Sequence, residues 1–285
     1  MKSAYISYIF ALLLFGSNGI IANHIQLAST EIVLYRTSIG SLFLFLIFLS
    51  TKKHWTFHKH KKQFLFLILS GISMGLSWLF LYEAYQQIGV SISSLLYYCG
   101  PIIVIALAPI IFREKLHPKK LLGFSCVFVG IILVNGKLFA TGNHYFGIFC
   151  GIMSAIMYSL MIIFNKKAKN ISGLENSLLQ LTISFITVAC ITLLRGDLSF
   201  QIPRDSILPL LFLGIVNTGL GCYLYFSKLE KIPVQSVSIL GYLEPLSAVI
   251  MSVIFLRENM SNIQVIGALL VLGGAIYSER FSSNT

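Results

Sequence analysis

Charge is scarce in this chain. Only 11% of its 285 residues are Asp, Glu, Lys or Arg, where a soluble domain carries about a quarter. Acids are the scarcest, ten in all. So little charge cannot clothe a water-facing surface, which excludes a soluble globular protein. No Gly-rich phosphate loop ending in Lys-Ser or Lys-Thr occurs, which argues against an ATPase. No paired-Asp motif or His-box appears, and the six histidines are dispersed. A membrane enzyme acting on lipid or isoprenoid substrates would cluster such groups at one membrane face. The cysteines Cys99, Cys126, Cys150, Cys190 and Cys222 stand singly inside apolar runs. They read as small core residues, neither a disulfide framework nor a metal site. The loop His54 to Lys62, HWTFHKHKK, lacks the Cys, carboxylate and spacing of a zinc site. It reads as a solvated basic loop over anionic lipid. No metal or cofactor is called for.

Apolar length is what the chain has in abundance. Hydrophobic residues make up 56%, and the mean hydropathy is +0.83. About 20 apolar residues cross a bilayer. Ten such runs are expected as spans, at 4–22, 30–50, 63–84, 90–112, 120–136, 145–165, 175–194, 206–227, 234–256 and 263–280. The run from Ala4 to Ala22 is long for a signal peptide, and no small-x-small cleavage site follows it, so it counts as the first span. The connections are too short to hold a soluble domain. Their Lys and Arg number sixteen on the side of the N-terminus, densest at Lys52–Lys62 and Arg113–Lys120. The other side holds four, Lys137, Arg195, Arg204 and Arg257. Basic loops stay inside, so both termini are expected in the cytoplasm, with the protein multi-pass in the cell (inner) membrane. The net charge of +11 is explained by those loops, without nucleic acid.

The chain also repeats itself. Ser94 to Glu114, SLLYYCGPIIVIALAPIIFRE, returns 144 residues later as Ser238 to Glu258, SILGYLEPLSAVIMSVIFLRE. At the same offset Ser70–Leu133 lays over Gly214–Tyr277, keeping Gly75/Gly219, Gly123/Gly267 and Gly130/Gly274, and Glu31 falls on Glu175. A duplication of this length marks two copies of one structural unit. Five spans per copy is odd, so the second copy lies upside down. The fold expected is all-α, ten transmembrane helices as a 5+5 inverted repeat, with units at 1–140 and 141–285. Inverted repeats of this kind are a transporter architecture, with the site at mid-bilayer where the units meet.

These residues resemble the EamA family of the drug/metabolite transporter superfamily. The matching pieces are Phe15 to Asn18 (FGSN), Arg36 in the second span, and the Pro followed by an F/L-x-E ending in the fourth and ninth spans. Leu243–Pro245 (Leu-Glu-Pro) fits as well. Two departures stand out. Arg113 and Arg257 precede the terminal Glu114 and Glu258 where the family often has Gly, and Phe15 stands where it often has Trp. The resemblance implies export of an amino acid or related metabolite. Uptake of an environmental or host metabolite is the alternative.

Candidate site residues follow from depth. Glu244 lies ten residues into the ninth span, near mid-bilayer, where an unpaired charge costs several kcal/mol. Its counterpart in the first copy is Gly100, so the acid occurs once. Two functional readings compete: contact with a cationic substrate group, or proton uptake and release. A carboxyl hydrogen-bonded to a neighbouring helix is the bland one. Arg36 lies roughly 9 Å into the second span at 1.5 Å per residue, and Glu83 matches its depth in the third. A structural ion pair Arg36–Glu83 is expected, against a snorkelling Arg36 or its direct contact with substrate. Aromatic walls with a few polar groups make a small-molecule site. The expected substrate-binding set is Asn18, Trp78, Tyr82, Tyr98, Tyr158, Asn217, Tyr225, Tyr242 and Glu244. Pro101 and Pro245 each remove a backbone hydrogen bond inside a span and are expected to act as hinges. The reading is a secondary transporter in the lipid bilayer, monomeric or weakly dimeric, using the substrate gradient or protons. A membrane enzyme, scaffold or channel subunit has no need of the inverted duplication.

Overall fold

The computed structural model describes residues 2–51, 55–97, 99–112, 122–123, 125–130, 132–133, 144–171, 173–196, 201–241, 243–257 and 261–280. Among the described residues there are helices and no strands. Seven helices are long and apolar enough to cross a membrane: α1 (Ser3–Ala22), α2 (Ser29–Ser50), α3 (Lys61–Ile88), α4 (Ile92–Phe112), α5 (Tyr145–Lys167), α6 (Gly173–Arg195) and α7 (Arg204–Lys231). Two shorter apolar helices follow, α8 (Leu243–Phe255) and α9 (Asn262–Arg280). The described positions of 122–133 are helical as well. The protein is an all-helical, multi-pass membrane protein. Its outward faces fit that setting. Leu194, Leu208 and Ile110 are 87%, 76% and 78% exposed, which water would penalise and acyl chains do not.

Three helices depart from plain α geometry. In α1 the helix breaks at Ser17, between Lys2–Gly16 and Asn18–Ala22. In α7 a π segment runs from Leu213 to Leu220, the wide turn that often marks a functional position. The expected ninth span is interrupted by a turn at Gly241, between Val234–Leu240 and α8. Tyr98, Tyr242, Glu114 and Glu258 lie outside the described residues.

The helices pack in matching combinations. α2 lies against the π segment of α7, and α6 lies against α3. α1 packs on α8, and α5 packs on α4. α2 and α6 also meet directly. Small residues set the closest approaches, as expected where lipid leaves van der Waals contact and hydrogen bonds to hold helices together. A Cβ at Gly130 would stand 2.5 Å from the carbonyl oxygen of Gly267, and a Cβ at Gly274 would stand 2.5 Å from that of Gly123. Backbone cannot yield as a side chain can. Gly130→Ala and Gly274→Ala are each expected to destabilise the detergent-solubilised protein by about 1–3 kcal/mol. Equal thermal midpoints for variants and parent would refute that contact.

At the basic ends of the helices, Glu175 opens α6. Its carboxylate accepts hydrogen bonds from the backbone N–H of Thr56 (2.7 Å) and Phe57 (2.9 Å) and from the Thr56 hydroxyl (2.5 Å). Trp55 stacks 4.2 Å from Phe48. The described part of the basic loop is therefore folded onto α6 and α2 rather than simply solvated.

Candidate functional site

Six helices converge on one small cavity. α1 contributes Phe15, α3 Met74 and Trp78, α4 Tyr97, α5 Tyr158 and Met161, α7 Tyr225 and Phe226, and α8 Glu244. The rings interlock. Tyr97 and Tyr158 stand 4.8 Å apart, Tyr8 and Tyr225 4.8 Å, and Phe15 and Tyr225 5.7 Å. The hydroxyls of Tyr158 and Tyr225 share a hydrogen bond of 3.4 Å. Tyr8 donates to the Val237 carbonyl at 3.0 Å, which ties α1 to the segment before α8. The walls nearly touch: the free volume is about 20 Å³, room for about one water molecule. A metabolite fits only once these walls part.

Glu244 is the one ionisable carboxyl among the lining residues, and it is 7% exposed. It sits in the first turn of α8, so Pro245 follows in that same turn, just past the turn at Gly241. A proline there forfeits no intrahelical bond, because the first N–H groups have no partner to lose. Pro101 lies within Cys99–Phe112 of α4. α1 comes close to α8 at this point: a Cβ on Gly16 would stand 2.8 Å from the Glu244 carbonyl oxygen.

Arg36 is fully buried. Its guanidinium carbon lies 4.3 Å from the centre of the Trp78 ring. Nε donates to the Thr218 hydroxyl at 2.8 Å, and Nη1 donates to the Tyr82 hydroxyl. Among the described residues Nη2 has no hydrogen-bond partner. The expected Arg36–Glu83 ion pair is not formed. Trp78 and Tyr82 share one face of α3 at i, i+4, and Arg36 lies along that face. Glu83 points elsewhere and accepts from the Ser29 hydroxyl (2.5 Å) and Gln87 Nε2 (3.0 Å). Matching depth was the sole sequence guide, and depth says nothing of rotation about the helix axis. Glu244 lies close enough for its charged form to be favoured by Arg36.

Asn18 and Asn217 meet each other rather than the cavity. Asn217 Nδ2 donates to the Leu14 carbonyl (2.9 Å), the Ser17 hydroxyl (2.8 Å) and Asn18 Oδ1 (3.0 Å). The π segment of α7 thus staples the break in α1 and, through Thr218, holds Arg36. Of the expected set, Trp78, Tyr158, Tyr225 and Glu244 line the cavity. Tyr82 lies behind Trp78, facing a second cavity of about 280 Å³ that Tyr85, Gln86, Ala22 and Asn23 help to line. Tyr98 and Tyr242 fall outside the described residues. Met161 and Phe226 were missed, since apolar residues in apolar helices carry no distinguishing signal. Tyr97 takes a wall position beside the position picked out by the repeat.

Comparison with known proteins adds identity to geometry. The sequence pattern of the EamA-like transporter family matches the chain twice, over residues 2–136 and 145–278. The uncharacterized transporter YxxF of Bacillus subtilis (strain 168) is 24% identical over 276 residues, 96% of this chain and 88% of that one. A Salmonella typhimurium (strain LT2) protein named a probable amino-acid metabolite efflux pump is 24% identical over 197 residues, 64% of this chain and 65% of that one. A solved crystal structure superposes with a TM-score of 0.75 over 98% of this chain and 99% of its own, at 16% identity. That likeness shows a shared fold.

Proposed function

The chain belongs to the EamA-like transporter family, and from that premise we propose that it exports a small zwitterionic or amphipathic metabolite, an amino acid or a close relative, by alternating access. The observation that carries the proposal is the closed aromatic cavity around a single buried carboxyl. Aromatic faces suit an apolar side chain or an ammonium group. Glu244 offers a partner for an ammonium, and the uncommitted Nη2 of Arg36 offers one for a carboxylate. The efflux role in the name of the Salmonella relative supports the same substrate class.

The machinery is two inverted five-helix units, 1–140 and 141–285. The double family match divides the chain near there. The packing supports it too: under a shift of 144 residues, α2 on α7 becomes α6 on α3, and α1 on α8 becomes α5 on α4. Swapped partners are what a two-fold relation between units produces, and the odd span count turns one unit over. Both termini then face the cytoplasm of a cell whose inner membrane holds the protein. Pro101 and Pro245 serve as hinges, and Glu244 exchanges a proton as the cavity turns from one side to the other.

Purified protein in proteoliposomes preloaded with unlabelled amino acids is expected to take up labelled amino acid by counterflow, well above protein-free liposomes. Counterflow absent across a panel of amino acids, amines and nucleosides would overturn the substrate class. Net movement confined to the cytoplasm-to-exterior direction supports export, and the reverse supports uptake.

A further inference from the structure

The outer and inner mouths are built at matching positions and differ in charge. The cavity of about 280 Å³ beside Tyr82 includes Ala22, Ile25, Gln86 and Val90 in its lining, and none of its lining residues is charged. Adding 144 to those four positions gives Lys166, Lys169, Glu230 and Val234. All four line a cavity of about 600 Å³ at the other ends of the helices, together with Lys231. An adjoining cavity of about 420 Å³ shares Lys166 and Lys169 with it and adds Lys62 and Lys167. Among the described residues, five cations and one acid therefore ring the one mouth, and no charge lines the other.

Lys166 is the buried member, 8% exposed. Its ammonium donates to the Leu229 carbonyl at 2.7 Å and to the Ile232 carbonyl. It thereby fastens the end of α5 to the turn that joins α7 to Val234. Alanine at position 22 cannot make the matching tie. A cleft of low-dielectric walls carrying one sign of charge concentrates counter-ions and raises their arrival rate by about 10–10³. A carboxylate or phosphate is also a stronger acceptor for an ammonium than a peptide carbonyl.

We propose that the inner cavity around Lys166, Lys169 and Lys231 is a loading site for the anionic group, carboxylate or phosphate, of a soluble solute on its way to the central cavity. Lys166 turns from the Leu229 and Ile232 carbonyls toward the incoming anion, and that exchange loosens the inner mouth. The sidedness of the site rests on the orientation proposed above; its charge selectivity does not, so the test reads charge without transport.

Two cysteine variants at matching positions, Glu230→Cys and Gln86→Cys, are made in the full chain. Each is treated in dodecylmaltoside with the anionic reagent methanethiosulfonate ethylsulfonate or with its cationic ethyltrimethylammonium analogue. Peptide mass spectrometry separates the engineered site from the native cysteines. The anionic-to-cationic rate ratio is expected to be at least about tenfold higher at position 230 than at 86, and to fall severalfold when Lys166→Met and Lys169→Met are added. If Lys166→Met does not fold, Lys169→Met with Lys231→Met, both at exposed positions, reads the same field. Equal ratios at 230 and 86, or a ratio indifferent to the lysines, would overturn the site. Micelles doped with phosphatidylglycerol separate the two sources of anion. A ratio that survives doping supports a soluble solute, and one that collapses assigns the cavity to a lipid headgroup and overturns the loading role.

Discussion

Replacing Glu244 with glutamine is expected to bring pH-gradient-driven accumulation in proteoliposomes down to the level of protein-free liposomes. Glutamine keeps the shape and the hydrogen-bonding capacity of the carboxyl but cannot exchange a proton. The effect is large because the acid has no substitute. Its counterpart Gly100 packs where a Cβ would stand 2.6 Å from the Tyr158 ring, and the Gly100 carbonyl accepts the Ser159 hydroxyl at 2.9 Å. The aromatic wall occupies the place a second carboxyl would need. With one proton moved per solute, each pH unit of gradient supports about tenfold accumulation, since a tenfold ratio corresponds to about 1.4 kcal/mol. The parent protein should follow that slope and Glu244→Gln should lie flat, while counterflow, which needs no net proton movement, persists at a reduced rate because the glutamine oxygen still accepts from the ammonium. Gradient-driven accumulation that is unchanged in Glu244→Gln would remove this residue from the coupling step.

Seven of the ten expected spans were legible in the sequence because lipid imposes one strong demand, an apolar run long enough to cross it. Expected edges such as 30–50 and 145–165 fall within two residues of Ser29–Ser50 and Tyr145–Lys167. The break at Ser17 and the π segment in α7 leave no trace in hydropathy, because both are changes of hydrogen-bond register within an apolar run. They decide the polar contacts nonetheless. Asn217 and Thr218 both project from that segment, and between them they hold α1 and Arg36. Asn18 and Asn217 were rightly singled out as buried polar residues, yet a buried amide is satisfied equally by a solute or by another amide. The sequence offers no means of telling which. The aromatic residues Trp78, Tyr158 and Tyr225 line one cavity, because three amphipathic rings deep within spans have few other places to go than a shared interior.

Arg36 yields the sharpest energetic prediction. A guanidinium with two charge-assisted hydrogen bonds, at about 1.5–3 kcal/mol each, and a desolvated ring contact of about 2 kcal/mol holds together α2, α3 and α7. These terms are not additive, and Arg36→Met is expected to cost on the order of 3–5 kcal/mol, the range for removing one partner of a buried charge pair. The partner is what a double-mutant cycle reveals. If Arg36 neutralises Glu244, then Arg36→Met costs less in a Glu244→Gln background, where no buried carboxylate is left uncompensated, and the coupling should be about 1–3 kcal/mol. In a Glu83→Gln background the cost should match that in the parent to within about 0.5 kcal/mol, because Glu83 is engaged with Ser29 and Gln87. Reversible unfolding in mixed micelles supplies all the required values. A coupling to Glu83 larger than that to Glu244 would restore the rim ion pair suggested by depth alone. It would also strip Glu244 of the neighbouring cation that makes a buried acid tolerable at mid-bilayer.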